Sequence, residues 1–279
     1  MGRRRSSRNP VNVLFSWVRK QSIKVNIFLG VTTVVAILLF LRLLVKDHNH
    51  FFVASEAIHV VGIMILAYKL LTLKTCSGLS LKSQELTAIF LAARLVCSFA
   101  MENDIHTVLD GATLISTLWI IYMMRFKLKS TYIKELDSMP LYYTVVPATL
   151  LAVFVHPHTR HSILYRIIWA FCVYLESVSV LPQLRLMQNA KMVEPFTAHY
   201  VFALGVARFL GCAHWILRVI EYGPAYLLLA GSGYYFWYLW GPMVVIAEIV
   251  QTAILADFCY YYVKSVIDGQ LLMRLPSMV

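Results

Sequence analysis

The chain has 279 residues, of which 59% are hydrophobic and only 14% charged, and its formal net charge at pH 7 is +11. Soluble globular domains are nearer half apolar and a quarter charged. The composition therefore excludes a soluble enzyme, a disordered chain and a small disulfide-stabilised secreted fold, and it indicates an all-α membrane protein. The five cysteines are scattered along the chain, without the paired spacing of a disulfide framework or a zinc site.

The long apolar runs predict eight membrane-spanning helices, because each crossing of a bilayer requires about 20 apolar residues. The first run, 25–45, follows a basic tail and is long enough to be a retained signal anchor rather than a cleaved signal peptide. The other seven are predicted near 52–73, 84–101, 108–126, 142–155, 162–187, 197–220 and 239–263. The predicted organisation is a basic tail (1–24), an added transmembrane helix (25–46), a seven-helix bundle (51–268) and a C-terminal tail (269–279).

Lysine and arginine are unevenly distributed between the two predicted sides of the membrane. Most of them lie in the tail and in segments that begin near residues 69, 125, 185 and 264, whereas 221–237 contains none. The exceptions are Arg160 and Arg166. Because basic loops are retained in the cytosol, we expect both termini to be cytosolic. The positive surplus then reflects topology and contact with the lipid bilayer, and no nucleic-acid partner is predicted.

Several ionisable residues lie inside the predicted spans: His59, Arg94, Glu176, Arg208, Arg218, Glu248 and Asp257. Each would cost about 2.5–3.5 kcal/mol at mid-bilayer, so each needs a partner or an aqueous cavity. Structural ion pairs and side chains that reach the interface are the alternatives for any one of them. Together they favour a polar cavity, with Glu248 in an additional structural pair. No nucleophile–base spacing, phosphate loop or convincing metal signature is present, so neither catalysis nor a cofactor is predicted.

Short motifs follow one another in a specific order: KTCSGLS at 74–80, YLESV at 174–178, LPQL at 181–184, TAHY at 197–200 and VQT at 250–252. From about residue 59 to residue 269 the chain resembles the KDEL receptor (ER lumen protein-retaining receptor) family. The resemblance implies a seven-helix bundle similar to SWEET and PQ-loop proteins, with two parallel three-helix repeats. The N-terminal helix is additional to that pattern, and Pro182, within an otherwise helical apolar run, is expected to kink its helix and free backbone carbonyls.

The resemblance further implies a receptor of the ER and Golgi membranes for the C-terminal tetrapeptide of lumenal proteins, KDEL or HDEL. Arg94 and Arg218 match family arginines, and a guanidinium suits a terminal carboxylate because it is always charged and donates two parallel hydrogen bonds. Trp169 and Trp215 match aromatic positions near the ligand, although packing or interfacial roles remain open.

Other matched positions relate to pH and trafficking. His59 matches a histidine linked to pH sensing, together with Glu176, and its alternative is a neutral core histidine. Asp257 matches an aspartate linked to retrograde transport, or it balances a buried arginine. Arg274 lies where the family carries a lysine-containing signal for the coat machinery, which is the second expected partner.

Four positions depart from the family pattern. Phe52 replaces a basic residue, and Ala207 replaces a tyrosine that partners the glutamate matched by Glu176. Cys97 and Arg166 replace two acids that recognise the signal's first basic residue, which makes Arg166 a candidate ligand contact. We therefore expect weak binding of Lys-Asp-Glu-Leu or a preference for ligands without a basic first residue. A SWEET-like carrier of a small solute and a receptor-like scaffold without ligand remain alternatives.

Overall fold

A computed structural model of the chain describes residues 49–101, 105–159, 161–190, 192–222 and 239–268. The predicted basic tail, the added helix at 25–46 and the C-terminal tail from 269 lie outside these described residues. The described segments fold as helices joined by loops. Five helical segments are long and apolar enough to cross a membrane, and two more are shorter but apolar. The predicted all-α, polytopic fold is confirmed.

Eight α-helices make up these segments. In chain order they are α1 Asn49–Tyr68, α2 Leu81–Met101, α3 Ile105–Tyr122, α4 Tyr142–Phe154, α5 Ile163–Val178, α6 Leu181–Asn189, α7 Pro195–Tyr222 and α8 Trp240–Ile267. A π-helical stretch extends each of two helices: Lys69–Leu73 follows α1, and Met123–Lys127 follows α3. In the bundle, α7 packs between α1 and α8, whereas α2 packs against α3 and α5. The seven spans predicted within this part of the chain therefore lie within a few residues of the observed ones.

The span predicted at 162–187 is divided into α5 and α6 by a turn at residues 179–180. Pro182 lies in the first turn of α6, where a residue without a backbone N–H is tolerated. The carbonyl of Ser179, in the turn that precedes α6, accepts a hydrogen bond from the Ser83 hydroxyl at 2.7 Å. The chain is thus interrupted near Pro182, where a kink was expected, and the Ser179 carbonyl joins the turn after α5 to α2.

At one end of the bundle, here called the basic end, the loops 74–80 and 128–141 meet. The KTCSGLS motif forms a tight turn there, in which Gly78 adopts a φ of +77° that favours glycine. The Gln183 amide spans this turn: its oxygen accepts from the Ser80 N–H and its nitrogen donates to the Gly78 carbonyl, each at 2.8 Å. This motif therefore has a structural role, since it joins the start of α2 to α6.

Asp137 holds the longer loop against the same turn. Its side chain is buried and accepts hydrogen bonds from the Ser80 hydroxyl at 2.8 Å, the Lys82 N–H at 3.2 Å and the Tyr132 hydroxyl at 2.7 Å. Three donors satisfy one buried carboxylate, which offsets much of its desolvation cost. The basic end is consequently a continuous hydrogen-bonded layer rather than a set of independent loops.

Candidate functional site: a charge network inside the bundle

Arg94 lies at the centre of a network that joins α2, α3 and α5. Its Nε donates to Asp110 Oδ2 at 2.9 Å and its Nη2 donates to Asp110 Oδ1 at 2.6 Å, a bidentate pair. Its Nη1 donates to Glu176 Oε2 at 2.8 Å. The guanidinium also lies over the ring of Phe90, 5.5 Å from its centroid. Each nitrogen of the guanidinium therefore donates to a carboxylate of the protein, through three of its five N–H groups.

Glu176 extends the network from Arg94 to α7. Its second oxygen, Oε1, accepts from Arg208 Nη1 at 2.5 Å. With its amide oxygen oriented toward Arg208, the Gln251 side chain on α8 accepts from Nε at 2.8 Å. The four charged residues are each between 14% and 24% exposed. Because two arginines and two acids pair within the bundle, their formal charges cancel.

A small polar cavity of about 30 Å³ adjoins this network. That volume accommodates one or two water molecules, not a peptide. Its polar lining comes from five helices and the turn between α5 and α6: His59, Ser83, Thr87, Glu176, Ser179, Tyr200, Arg208 and Gln251. Thr87 lies two helical turns before Arg94 on α2, so the cavity lies on the basic side of Arg94.

Of the remaining ligand-contact candidates, Arg218 lies apart from the network, and the two tryptophans pack against an apolar cluster that includes Phe90 beneath Arg94. Arg218 is ten residues beyond Arg208 on α7, about 15 Å along the axis, and among the described residues no hydrogen bond or ion pair involves it. Trp169 and Trp215 are partly buried and pack against the apolar cluster that contains Leu86, Phe90, Leu175 and Trp240. The structure therefore unites His59, Arg94 and Glu176 but not Arg218, Trp169 and Trp215.

Arg166 is directed into the loop that follows α4 instead of lining the cavity. It is buried, its Nε donates to the Pro157 carbonyl at 2.6 Å, and its Nη2 lies 3.1 Å from His158 Nδ1. Nearby, the buried Cys97 thiol is 3.5 Å from the Tyr165 carbonyl. The two positions where the family pattern has acids are therefore adjacent, and neither supplies a carboxylate.

The trafficking candidates and the other departures are placed as follows. Asp257 is exposed on α8, whereas Arg274 lies outside the described residues. Nothing is described of the Phe52 side chain. Ala207 is buried, and its carbonyl accepts a hydrogen bond from the Ser55 hydroxyl at 2.8 Å, which binds α1 to α7.

The structure differs from the sequence predictions at three charged residues, either in their place in the site or in their ion pairing. Asp110 was not expected in the site, although a carboxylate two residues inside a predicted span is a visible signal. Glu248 was expected in a structural pair, but in the described part of the chain it has no ion pair and lies beside Gly211. Lys69 was counted among the loop charges of the basic side, yet it is fully buried and pairs with Glu194 at 2.6 Å.

Comparison with known proteins identifies the family. A family model for the ER lumen protein retaining receptor matches residues 75–218. The ER lumen protein-retaining receptor erd-2.2 of Caenorhabditis elegans is 36% identical over 229 residues, which are 82% of this chain and 99% of that receptor. The chain belongs to the ER lumen protein-retaining receptor family. A Drosophila melanogaster receptor is 33% identical, with 82% of this chain and all of the relative aligned, and Arabidopsis thaliana receptor B is 33% identical, with 78% and 94% aligned.

The matched stretch of this receptor-family member contains all four charged residues of the network. Arg94, Asp110, Glu176 and Arg208 lie within 75–218, whereas His59 and Gln251 lie outside it. The charged network therefore lies within the segment that matches the family model, and its residues are the candidates for ligand binding.

Proposed function

We propose that this protein is a receptor of the ER and Golgi membranes that binds C-terminal retrieval signals of lumenal proteins and mediates their return to the ER. The observation that carries the proposal is family membership, which extends over 99% of the length of a relative named for protein retention in the ER lumen. The polytopic helical fold fits a receptor that must cycle within membranes.

In the proposed mechanism Arg94 binds the terminal carboxylate of the signal, with Arg218 as a second cationic group. The basic end of the bundle faces the cytosol and the opposite end faces the lumen, in agreement with the excess of lysine and arginine in its loops. Arg218 and Trp215 lie in the last turns of α7, at the proposed lumenal end. The Arg94 side chain is 24% exposed rather than fully buried, as the proposal requires of a ligand-binding group.

The first residue of the signal is recognised differently in this receptor than the family pattern implies. Cys97 offers a neutral thiol, and the Arg166 guanidinium is engaged with Pro157 and His158. A ligand ammonium group therefore meets no carboxylate at these two positions, while the positive charge of Arg166 disfavours it. We infer a preference for signals that begin with an uncharged or acidic residue.

Cycling of the receptor is proposed to depend on its basic end and on pH. The exposed Asp257 and the C-terminal Arg274 are the proposed contacts of the transport and coat machinery. His59, in the cavity beside Glu176 and Arg208, is the proposed pH-sensing group, because imidazole gains its charge as the lumen acidifies.

The decisive experiment measures binding of labelled tetrapeptides to the purified full-length chain in nanodiscs, at about pH 5.5 and about pH 7.4. Lys-Asp-Glu-Leu is compared with variants that begin with alanine or glutamate, and with the same peptides carrying a C-terminal amide. Binding that requires the free carboxylate supports the function, and equal or tighter binding of the lysine peptide contradicts the inferred preference. Restored chaperone retention in cells lacking their own receptor tests cycling.

A second candidate is a family member that has lost peptide capture and acts as a membrane scaffold. The observation that favours it is the engagement of each nitrogen of the Arg94 guanidinium by Asp110 or Glu176. Absence of carboxylate-dependent binding at either pH, together with failure to restore retention, would select this candidate. Transport of solute into liposomes would instead select a carrier.

A further inference from the structure

Three of the five N–H donors of Arg94 are engaged by carboxylates of the protein, including the pair along its Nε–Nη2 edge. A carboxylate is recognised best when two parallel N–H groups meet its two oxygens. In Arg94 the Nε–Nη2 edge already makes that arrangement with Asp110, at 2.9 and 2.6 Å. The third nitrogen, Nη1, donates to Glu176 at 2.8 Å. Asp110 therefore occupies the position that the terminal carboxylate of a ligand would take.

The balance of charge leads to the same conclusion. Asp110, Arg94, Glu176 and Arg208 pair in sequence, so two positive groups meet two negative ones. A network with no excess positive charge has little electrostatic preference for an anionic peptide. Release of one internal carboxylate from Arg94 would restore that preference, and only Asp110 or Glu176 can be released.

Asp110 is held less firmly than Glu176. Glu176 uses its oxygens to bind two arginines on two different helices, α2 and α7. Asp110 binds one arginine only, and it lies in the second turn of α3, near the end of the bundle where that helix begins. Exchange of Asp110 for a ligand carboxylate would preserve the bidentate geometry of Arg94 and leave the Glu176 bridge intact.

We propose that Asp110 is a specificity-determining residue that competes with the ligand's terminal carboxylate for Arg94. The inference rests on the proposed function, since it assumes that Arg94 binds the terminal carboxylate. Asp110 thereby lowers the affinity of the receptor, because a ligand carboxylate that binds the Nε–Nη2 edge of Arg94 must displace it. Only peptides whose remaining contacts offset the loss of the Arg94–Asp110 pair are retained.

The test compares the wild-type chain with Asp110→Asn, which keeps the shape of the side chain and removes its charge. The probe is Ala-Asp-Glu-Leu, as free carboxylate and as C-terminal amide, measured by calorimetry in nanodiscs. We expect Asp110→Asn to bind the carboxylate peptide at least about tenfold more tightly, with no gain for the amide. Asp110→Glu keeps a competing carboxylate and should bind far less tightly than Asp110→Asn.

A matched control uses a second pair between the same two helical segments. Glu85 on α2 pairs with Arg125, which lies in the π-helical extension of α3. The Arg125 side chain is more than half exposed. Glu85→Gln removes the same charge outside the site and should leave affinity unchanged. Asp110→Ser, a smaller neutral variant, provides a second measurement if Asp110→Asn does not give a folded protein.

The possible outcomes distinguish failure of the proposal for Asp110 from failure of the proposed receptor function. If the wild type binds the carboxylate peptide and the folded Asp110→Asn and Asp110→Ser variants bind it no more tightly, Asp110 is not a competitor and the inference fails. An equal gain for the amide peptide would overturn it as well. If neither the wild type nor any folded variant binds the carboxylate peptide, the proposed function itself fails.

Discussion

Lys69 and Glu194 form a buried ion pair between the π-helical end of α1 and the residue that precedes α7. The Lys69 Nζ lies 2.6 Å from Glu194 Oε2, and it also donates to the Ser77 carbonyl at 2.5 Å and to Thr197 Oγ1 at 2.6 Å. Glu194 in turn accepts from the N–H of Thr197 at 3.2 Å, which caps the first turn of α7. All three protons of the ammonium group thus have acceptors, and the pair binds two helices to the KTCSGLS turn.

Removal of one partner of this pair is predicted to have unequal effects. Glu194→Gln leaves the ammonium of Lys69, which is 0% exposed, without a countercharge, so we expect a loss of about 3–5 kcal/mol of unfolding free energy. Lys69→Met leaves Glu194 27% exposed and still bonded to Thr197, so its loss should be smaller. Unfolding of the purified chain in a detergent titration measures both. The exposed Lys74→Met is the control, and a larger loss for Lys69→Met would contradict the argument.

The bridge between Glu176 and Arg208 is predicted to be strongly coupled. Glu176→Gln leaves Arg208 with only neutral Gln251, whereas removal of both charges in Glu176→Gln/Arg208→Met leaves no unpaired arginine at that position. The double variant should therefore be more stable than the sum of the single effects implies, by about 1–3 kcal/mol. A double-mutant cycle on unfolding free energy gives this coupling.

The Glu85–Arg125 pair supplies the reference for that cycle. Because Arg125 is 53% exposed, its coupling to Glu85 should be no more than about 1 kcal/mol. Additive effects at Glu176 and Arg208, equal to those of the exposed pair, would show that the internal network is not cooperative.

Much of the fold was predictable because the apolar lipid interior restricts which residues a membrane-crossing helix can contain. Each crossing helix must be apolar over its length, so the observed spans follow the apolar runs to within a few residues. Pro182 marked the division of α5 from α6 because proline restricts where a helix can continue. The predicted division into tails, added helix and bundle stays a prediction.

The partners of the charged residues were much less predictable. Arg94 and Glu176 were expected in a polar interior, but their mutual contact depends on the rotation of α2 and α5 about their axes, which composition does not determine. Asp110 pairs with a residue on the neighbouring helix, a choice made by packing. Lys69 was ambiguous for another reason. A lysine near the end of a predicted span is assigned to the loop unless its acidic partner, here Glu194, is known.

The basic end should become less stable in alkaline solution because of Tyr132. Burial, followed by the hydrogen bond to Asp137 and its charge, raises the pKa of the Tyr132 phenol above its ordinary value of about 10. The folded state thus favours the protonated phenol, and the resulting stability is present below about pH 10 and is lost as the pH rises toward the folded-state pKa.

Two variants isolate this effect. The difference in unfolding free energy between the wild type and Tyr132→Phe should be constant near pH 8 and should shrink above about pH 10. In the Asp137→Asn background the shrinkage should be smaller, because the two largest causes of the raised pKa after burial both involve Asp137. A difference that grows with pH would mean that the phenolate is favoured in the folded state.

Peptide affinity is predicted to rise as the lumen acidifies, through His59. This side chain lines the cavity with Glu176 and Arg208, so a proton on its imidazole adds a positive charge beside the carboxylate that binds Arg94. The added charge gives the network a net positive charge that favours an anionic ligand, without any change in the bridge between Arg94 and Glu176. We expect about tenfold tighter binding at about pH 5.5 than at about pH 7.4, and His59→Gln should remove most of that difference. His156→Gln is the matched control, because His156 lies in the loop that follows α4, beside the Ala152 carbonyl at 3.3 Å, and does not line the cavity. If His59→Gln retains the full pH dependence, or His156→Gln abolishes it, the proton that matters binds elsewhere.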